Sequence, residues 1–416
     1  ATLIDSLRTA DPSLLIFSSG DNRTGNPLND MYEIPAYPMV ALMNQVGFNA
    51  SALGNHEFDV HSLPRLTQLA NFRYLCANIL VDDTVGITMA PCQTFDVGGI
   101  RVGVVGAIQV GASGIPSSHP DNLHGIRFVQ ASTVLGQYEW MRRQCDVVIL
   151  LSHLGYFTDV ETADQFPWFD VILGGHTHKQ LSADESLHNG VLITQTNGYL
   201  NRAAYVTLGV DSGRVTDKRV EYLDVRDYPR KNSVVASVVA SFGESPRFSR
   251  VVGRAETPFG VKEELGSMIC DAYRDAFEAD IALTNPGGVR LGQLPAGDIT
   301  VRSVFELMPF ENQVVVLTLS GENVELLANQ MAAQGGQGVS GMTFVINGSD
   351  MTAQDIRVQG KPVERDRDYF VVTSDYLSGG ADGMGALALF KDRVYTGNKI
   401  VLGITERSAV ELAESD

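Results

Sequence analysis

Several short apolar segments in the first half of the chain run directly into clusters of glycine and polar residues. The clusters are Gly20-Asp21-Asn22, Gly54-Asn55-His56-Glu57-Phe58-Asp59, Ser152-His153-Leu154-Gly155 and Gly174-Gly175-His176-Thr177-His178. Helix-like stretches separate the apolar segments, an alternation that is typical of a layered α/β domain. Because ligands bind beyond the carboxyl ends of strands in open α/β sheets, we expect these clusters to meet at one site.

A polar, proline-bearing break at residues 227–232 divides the chain. Apolar periodicity before the break predicts strands at 14–17, 102–107, 147–151 and 171–173, and helices at 38–46 and 129–143. After the break it predicts helices at 233–242, 265–277 and 321–330, and strands at 281–283, 314–319 and 370–373. The predicted division is a first domain at 1–226, a linker and hinge helix at 227–247, and a second domain at 248–416.

Length and charge limit the possible functions. A chain of 416 residues is too long for one ordinary core, so we expect two domains. The net charge of -18 argues against a nucleic-acid partner, since such proteins concentrate Lys and Arg to neutralise phosphates. No apolar run approaches the roughly 18 to 20 residues of a membrane span. A small anionic substrate remains possible if bound metal ions provide a local positive site.

The four cysteines show no CxxC or short Cys/His spacing, which argues against a zinc finger or a redox pair. We expect Cys145 and Cys270 to be buried thiols, because their surroundings are apolar. Cys76 and Cys92 are either two further thiols, which we favour, or a disulfide in an exported protein.

Five residues at the strand ends carry side chains that a pair of divalent cations would need: Asp21, Asn55, His153, His176 and His178. Carboxylate, amide oxygen and imidazole all bind such cations, and a carboxylate has two oxygens with which to bridge them. In an extended segment, the i, i+2 spacing of the last two histidines projects both rings the same way, so that each can serve one metal. Each residue alone fits a structural histidine or a turn. Their joint occurrence after apolar strands favours the metal site.

His56 and Asp59 lie three residues apart beside the expected ligand Asn55. This spacing allows Asp59 to accept a hydrogen bond from His56, orient its ring and keep it protonated, so that it stabilises charge on a phosphoryl group or a leaving oxygen. Water activated by the metals would be the nucleophile in an in-line attack on phosphorus. The alternative is an Asp-His contact in a turn with no chemical role.

At these motifs the chain resembles the calcineurin-like metallophosphoesterases. The segments 54–59 and 175–178 are similar to those of the 5'-nucleotidase and UDP-sugar hydrolase family, and the resemblance extends over essentially the whole chain. It implies an α/β (α+β) fold, in which a four-layer α/β/β/α metallophosphoesterase sandwich precedes a smaller α/β nucleotide-binding domain. It also implies that the domains rotate about the linker to carry substrate to the metals.

The resemblance implies two divalent metal ions (Mn, Zn or Co). Asp21 would bridge them, and His178 would bind the second metal. The remaining ligands, all at the first metal, would be Asn55, His153 and His176. His56 and Asp59 would be the catalytic pair.

Three segments of the second half, 285–290, 309–312 and 379–383, resemble that family's nucleotide-binding segments. This similarity implies that Arg290 holds phosphate and that Asn285 and Asp382 hydrogen-bond the nucleoside. Phe310 and Tyr376 would sandwich the base, as aromatic faces can do with any base. The alternatives are core packing for the two aromatic residues and a surface ion pair for the arginine.

The chain also departs from the family's pattern. The family opens with an Asp-x-His that supplies two ligands of the metal that His178 would bind, and we expect an upstream segment to provide it. At residues 259–264, where the family offers a further phosphate-binding arginine, Lys262 could substitute as a point charge. Pro286 and Glu311 stand where typical members have smaller residues.

The expected function is metal-dependent hydrolysis of nucleoside monophosphates. UDP-sugar hydrolysis and 2',3'-cyclic phosphodiesterase/3'-nucleotidase activity are alternatives, and an inactive nucleotide-binding protein is the alternative from another class. The expected partner is a small-molecule nucleotide or nucleoside. The resemblance implies a periplasmic, secreted or cell-surface location, while the oligomeric state and the preferred phosphoester stay open.

Overall fold

The computed structural model describes residues 1–226, 228, 231–243, 246–310, 312–336 and 338–399. The chain forms two compact units that divide after Gly243. The first holds residues 1–24 and 28–243, and the second holds 25–27 and the described residues from 246 onward. The division falls within the predicted linker 227–247. The linker residues outside the described part of the chain are Asp227, Pro229, Arg230, Glu244 and Ser245.

Two β-sheets form the centre of the first unit. One is a parallel sheet with the strand order Phe17–Ser18, Ala50–Ala52, Arg73–Leu75, Met89–Ala90. The other has the order Leu187–His188, Val191–Thr194, Val171–Leu173, Val147–His153, Ile100–Ile108, Cys92–Val97. Its four middle strands are parallel and its two edge strands are antiparallel. Every residue of Val147–His153 is buried, because this strand is covered on both faces. A parallel strand in that position needs a continuous apolar run, which residues 147–151 provide.

Helices cover the outer faces of both sheets. Tyr37–Val46 and Leu63–Leu69 pack on the four-stranded sheet. The 3-10 helix Leu135–Arg143 and the α-helix Tyr156–Gln165 pack on the six-stranded sheet. A third apolar cluster, which includes Leu75 and Leu151, fills the space between the sheets. The predicted four-layer α/β/β/α sandwich is therefore confirmed.

The predicted strand at residues 14–17 is displaced to Phe17–Ser18. The amide of Ile16 donates to the side-chain oxygen of Asn49 at 2.7 Å, and the amide of Asn49 donates to the Ile16 carbonyl at 2.8 Å. A side chain therefore takes the place of the neighbouring strand at Ile16.

The remaining elements of the first unit connect and flank the sandwich. The α-helices are Thr2–Ala10, Ala131–Val134 and Ser233–Phe242, and the 3-10 helices are Asn55–Phe58, Asp83–Val85, Pro120–Leu123 and Ala183–Glu185. Ile79–Val81 pairs with Ile126–Phe128, and Arg202–Asp211 forms a hairpin with Arg214–Asp224. The short helix Pro27–Asp30 spans residues of both units. The ring of Phe242 lies 5.4 Å from that of Tyr32, so the predicted hinge helix packs on the first unit.

The second unit contains a mixed sheet with the strand order Gly338–Ser340, Ile281–Thr284, Asp368–Ser374, Gln313–Ser320, Asp392–Lys399. Successive residues of a strand face opposite sides of the sheet. Ala282 therefore packs beneath helix Lys262–Ala276, while Leu283 packs beneath helix Gly321–Ala333. This arrangement confirms the predicted smaller α/β domain.

Smaller elements complete the second unit. Val251–Ala255 pairs with Gly297–Thr300, and Met342–Asn347, Thr352–Val358 and Lys361–Pro362 form a three-stranded sheet. The other helices are Val301–Leu307 and Asp375–Ser378, with 3-10 helices at Pro246–Ser249, Ala381–Gly383 and Gly385–Leu389.

Two further expectations concerned the state of the cysteines and the presence of a membrane-spanning helix. All four cysteines are free thiols, so Cys76 and Cys92 do not form the alternative disulfide. Across the described ranges, no helix combines the length and apolar character needed to cross a membrane.

We predict that Gly106→Ala destabilises the sandwich by roughly 1–3 kcal/mol through overpacking. A Cβ at Gly106 would lie 2.2 Å from the carbonyl oxygen of Leu75, where the two sheets approach each other. Urea unfolding of the variant measures the effect. Gly136→Ala is the matched control, because its added Cβ would meet only the Phe166 ring at an ordinary 3.5 Å. Equal stability of both variants would contradict the prediction.

Candidate metal centre

Four of the five predicted metal ligands converge at the carboxyl ends of the strands. The Nε2 atom of His153 lies 3.0 Å from Oδ2 of Asp21 and 3.3 Å from Oδ1 of Asn55. The same Asn55 oxygen lies 3.0 Å from Nδ1 of His176. Ligand atoms of Asp21, His153 and His176 all lie within 4.8 Å of one another, close enough to share one cation.

Hydrogen bonds behind these ligands point their lone pairs toward the shared point. The Nδ1 atom of His153 lies 2.6 Å from the carbonyl oxygen of Ser19, which can only accept, so Nδ1 carries a proton and Nε2 faces the site. The side-chain nitrogen of Asn55 donates to the carbonyl of Ser117 at 3.0 Å, which turns Oδ1 inward. Once Nε2 of His153 is unprotonated, these acceptors face one another and need a positive charge between them. This donor set of carboxylate, amide oxygen and imidazoles therefore fits a divalent cation.

Charge and burial set the protonation of the three titratable ligands. Burial alone would raise the pKa of Asp21, but His153 and His56 hold it well below its usual range. Burial would lower the pKa of His153, yet the Asp21 carboxylate raises it above the ordinary value. Burial, followed by the charge of His153, lowers the pKa of His176 to about 4, so this imidazole is neutral at pH 7 and available as a ligand.

The loops that carry the ligands adopt unusual backbone conformations. Asp21, His176 and His178 have φ angles of 56°, 74° and 52°, in the left-handed region that costs a non-glycine residue about 1–3 kcal/mol. The expectation of an extended segment at residues 176–178 is therefore wrong. The His178 ring packs edge-on against Tyr199, with centroids 5.5 Å apart, and does not join the cluster of three. Its assignment to a second metal stays a prediction.

His56 and Asp59 lie together beside the cluster. The Nδ1 atom of His56 is 2.7 Å from Oδ2 of Asp59, within the 3-10 turn Asn55–Phe58 and its cap. The backbone amide of His56 also donates to Oδ1 of Asp21 at 2.9 Å, and its Nε2 lies 4.0 Å from Oδ2 of Asp21. One imidazole nitrogen thus faces Asp59 while the other faces the cluster.

Sequence reasoning missed Glu57, which ties two ligand loops together. Its Oε2 accepts the amides of Asp21 at 2.9 Å and Gly54 at 2.5 Å, and its Oε1 accepts the amide of Asn22 at 2.7 Å. The side chain is almost fully buried. A glutamate at the third residue of a turn, bonded back to the amide that precedes the turn, is the glutamate half of a capping box, since glycine has no side chain for the other half. The Gly54-x-x-Glu57 spacing was therefore a readable signal.

The same loops approach so closely that they require glycine. A Cβ at Gly54 would lie 2.2 Å from Oδ1 of Asp21, and a Cβ at Gly20 would lie 2.6 Å from the amide nitrogen of Gly54. Gly174 meets the same limit, since its Cβ would lie 2.4 Å from Oδ2 of Asp159. The glycines that mark the motifs are therefore a packing requirement of the site.

Two further polar residues that sequence reasoning missed, Asp159 and Gln195, support the loops that carry the histidines. Asp159 is fully buried, and its Oδ1 accepts a hydrogen bond from Ser152, the residue before His153, at 2.5 Å. Gln195 accepts hydrogen bonds from the Thr177 hydroxyl and the Lys179 amide, both at 2.7 Å. The Asp159 contact holds the residue before His153, and the Gln195 contacts hold the residues on both sides of His178.

The structure brings the predicted nucleotide-binding residues of the second unit into two groups. Asp382 accepts hydrogen bonds from the Asn285 side chain at 2.5 Å and from the Tyr376 hydroxyl at 2.9 Å. The Arg290 guanidinium lies 5.9 Å from the centre of the Phe310 ring.

Lys262 lies within range of the charge of Arg290. Burial, followed by the charge of Arg290, lowers the pKa of Lys262, so two cations lie near each other. Pro286 lies in the turn after strand Ile281–Thr284. Glu311 falls outside the described residues.

Comparison with known proteins gives matches over both units. The model of the calcineurin-like phosphoesterase family matches residues 1–180, and that of the 5'-nucleotidase C-terminal domain matches 241–389. The chain is 28% identical to a 5'-nucleotidase of Vibrio cholerae over 95% of this chain and 83% of that protein. It is 26% identical to protein UshA of Yersinia enterocolitica over 95% of this chain and 84% of that protein. The solved structure of a 5'-nucleotidase precursor from Thermus thermophilus superimposes with a TM-score of 0.86 at 23% identity, over 99% of this chain and 89% of that one.

We predict that Glu57→Gln weakens both stability and metal binding. An amide would turn N–H groups toward backbone donors, and each backbone N–H left without an acceptor costs about 1–3 kcal/mol. Loss of such a supporting contact should also lower metal affinity about 10- to 100-fold. Urea unfolding and calorimetric titration with Mn²⁺ measure the two effects. Glu33→Gln, at an exposed position of the same unit, is the control. Wild-type metal affinity in the Glu57 variant would refute the argument.

We predict that Asp159 makes the metal-free protein less stable as the pH rises from about 4 to 7. Burial raises the pKa of Asp159 to about 7, so the folded state holds a proton that the unfolded state has lost in this window. Stability therefore falls with rising pH, by up to roughly 4 kcal/mol at about 1.4 kcal/mol per pKa unit. Asp159→Asn should flatten this slope in urea unfolding.

The control for this prediction is Glu161→Gln, an exposed position on the same helix, which should retain the wild-type pH dependence. An unchanged slope in Asp159→Asn would rule out Asp159 as its source.

Proposed function

The chain belongs to the 5'-nucleotidase family of phosphoesterases, and from that membership we propose that it hydrolyses nucleoside monophosphates to a nucleoside and inorganic phosphate. The observation that carries the proposal is the convergence of Asp21, Asn55, His153 and His176 beside the His56–Asp59 pair. We propose two divalent cations, of Mn, Zn or Co, as cofactors.

The ligands of this chain would hold the first cation between carboxylate, amide and imidazole donors. Asp21 would contribute to both cations, and His178 to the second. Divalent cations at such a site activate water and offset the charge of the phosphoryl group. Burial of the donor atoms excludes bulk water, which strengthens these interactions.

His56 and Asp59 would supply the proton chemistry. The Asp59 carboxylate accepts the Nδ1 proton of His56 at 2.7 Å, and this fixes the ring with Nε2 toward the cluster. A nearby carboxylate favours the charged imidazolium, so Nε2–H can donate to a phosphoryl oxygen or to the leaving oxygen. The substrate would lie within reach of this proton.

The second unit would recognise the nucleoside. Asp382, held by Asn285 and Tyr376, offers carboxylate oxygens to ribose hydroxyls. Tyr376 and Phe310 would stack on the base, a contact that every base permits. Arg290 and Lys262 would hold phosphate, since two neighbouring cations favour an anion between them.

The proposed location is the periplasm, the secreted fraction or the cell surface. The support for it is the resemblance to the 5'-nucleotidase and UDP-sugar hydrolase family, with which the acidic charge of the chain is compatible.

A substrate panel tests the proposed function. Full-length protein with added Mn²⁺, Zn²⁺ or Co²⁺ should release phosphate from nucleoside 5'-monophosphates faster than from p-nitrophenyl phosphate. Asp382→Ala should lower the ratio of kcat/KM for the nucleotide over that for p-nitrophenyl phosphate at least tenfold, because the smaller ester has no ribose. Asp366→Ala, at an exposed position of the second unit, should keep the wild-type ratio.

Other outcomes of the panel favour the alternatives. Faster hydrolysis of a UDP-sugar or of a 2',3'-cyclic nucleotide would replace the proposed substrate. Nucleotide binding without hydrolysis of any ester would show an inactive nucleotide-binding protein and refute the proposal.

A further inference from the structure

Thr24 joins the His56–Asp59 pair as a third residue that no sequence motif indicated. Its hydroxyl donates to Oδ2 of Asp59 at 2.6 Å. The same oxygen lies 2.7 Å from Nδ1 of His56, so one carboxylate oxygen receives both hydrogen bonds. An ionised carboxylate only accepts, which fixes the direction of the hydrogen bond from Thr24.

The backbone at Thr24 is held in a conformation that a β-branched residue avoids. Its φ angle is 79°, in the left-handed region, where threonine is an outlier. The amide of Thr24 donates to Oδ1 of Asp30 at 3.0 Å, and this carboxylate is itself buried beside Arg23, 3.9 Å from its Nε. These contacts thus hold Thr24 in a strained conformation in which its hydroxyl donates to Asp59. Strained residues held in this way cluster at active sites and ligand clamps.

We propose that Thr24 is a positioning residue for the reaction: its hydroxyl fixes the Asp59 carboxylate, which in turn holds the His56 ring with Nε2 toward the metal cluster. The side chain of Asp59 is mostly buried but reaches the surface, so packing does not enclose it completely. Two donors on one oxygen restrict the rotation of its carboxylate. The inference rests on the proposed role of His56 and deepens it.

If Thr24 only stabilised the packing around it, its variants would affect activity in a different pattern. Thr24→Val keeps the size and the β-branch but removes the donor. Thr24→Ser keeps the donor and removes the methyl group, and with it the β-branch that disfavours the left-handed backbone. If Thr24 acts through its hydroxyl, serine preserves function and valine does not. If it acts through packing, serine is the damaging change.

The test measures p-nitrophenyl phosphate hydrolysis by full-length, metal-loaded protein. We expect Thr24→Val to lower kcat about tenfold with KM within about twofold, since a lost charge-assisted hydrogen bond is worth roughly one factor of ten or more. Thr24→Ser should retain kcat within about twofold. In an Asp59→Asn background, Thr24→Val should have no further effect, because the carboxylate through which it acts has been removed.

A second readout does not depend on activity. In metal-free protein, the Nδ1 proton of His56 should give a downfield NMR signal, assigned by its loss in His56→Gln. This signal should shift in Thr24→Val and return toward its wild-type position in Thr24→Ser.

The outcomes separate this inference from the proposed function. Wild-type kcat in Thr24→Val, or multiplicative effects of Thr24→Val and Asp59→Asn, would overturn the role of Thr24 while leaving the enzyme intact. If the wild-type protein hydrolyses no ester, the proposed function fails, and an unshifted NMR signal in Thr24→Val would separately overturn the role of Thr24.

Discussion

The Glu57 carboxylate is the contact on which the arrangement of the site depends most. It accepts the amides of Asp21 and Asn22 from one loop and that of Gly54 from another. These amides lie in the loop at residues 20–22 and at the start of the 3-10 turn Asn55–Phe58, where no β-ladder pairs them, and unsatisfied amides are costly. Because the loops are joined through one side chain, the ligand Asp21 and the turn that carries His56 move as one body. The close approach of Asp21 to the turn that carries Asn55 and His56 follows from this connection.

The sequence was informative where local pattern and tertiary structure agree. The apolar run before His153 had to be a strand buried on both faces, and parallel strands place their carboxyl ends at one edge. Asp21, Asn55, His153 and His176 could therefore be grouped from their order along the chain. The spacing of His56 and Asp59 also sufficed, because a single turn brings residues three apart into contact.

The remaining features depend on backbone angles that residue types do not reveal. Nothing in the pattern at residues 176–178 indicates left-handed conformations, and this is why an extended segment was expected there. Asp159 and Thr24 are ordinary polar residues in sequence, and they matter only because folding places them against Ser152 and Asp59. In the second unit, Gly-rich segments indicated a binding loop. That Asn285 and Tyr376 both donate to the Asp382 carboxylate could be seen only in the folded structure.

The left-handed residues of the ligand loops have a consequence for the lifetime of the protein. Asp21, Thr24 and His176 store conformational free energy that the surrounding sandwich must balance. This strain lowers the free energy needed to open their loops. A cation that binds only the closed loops would shift this local equilibrium by mass action. The supply of metal around the protein would thus govern its resistance to proteases as well as its catalytic competence.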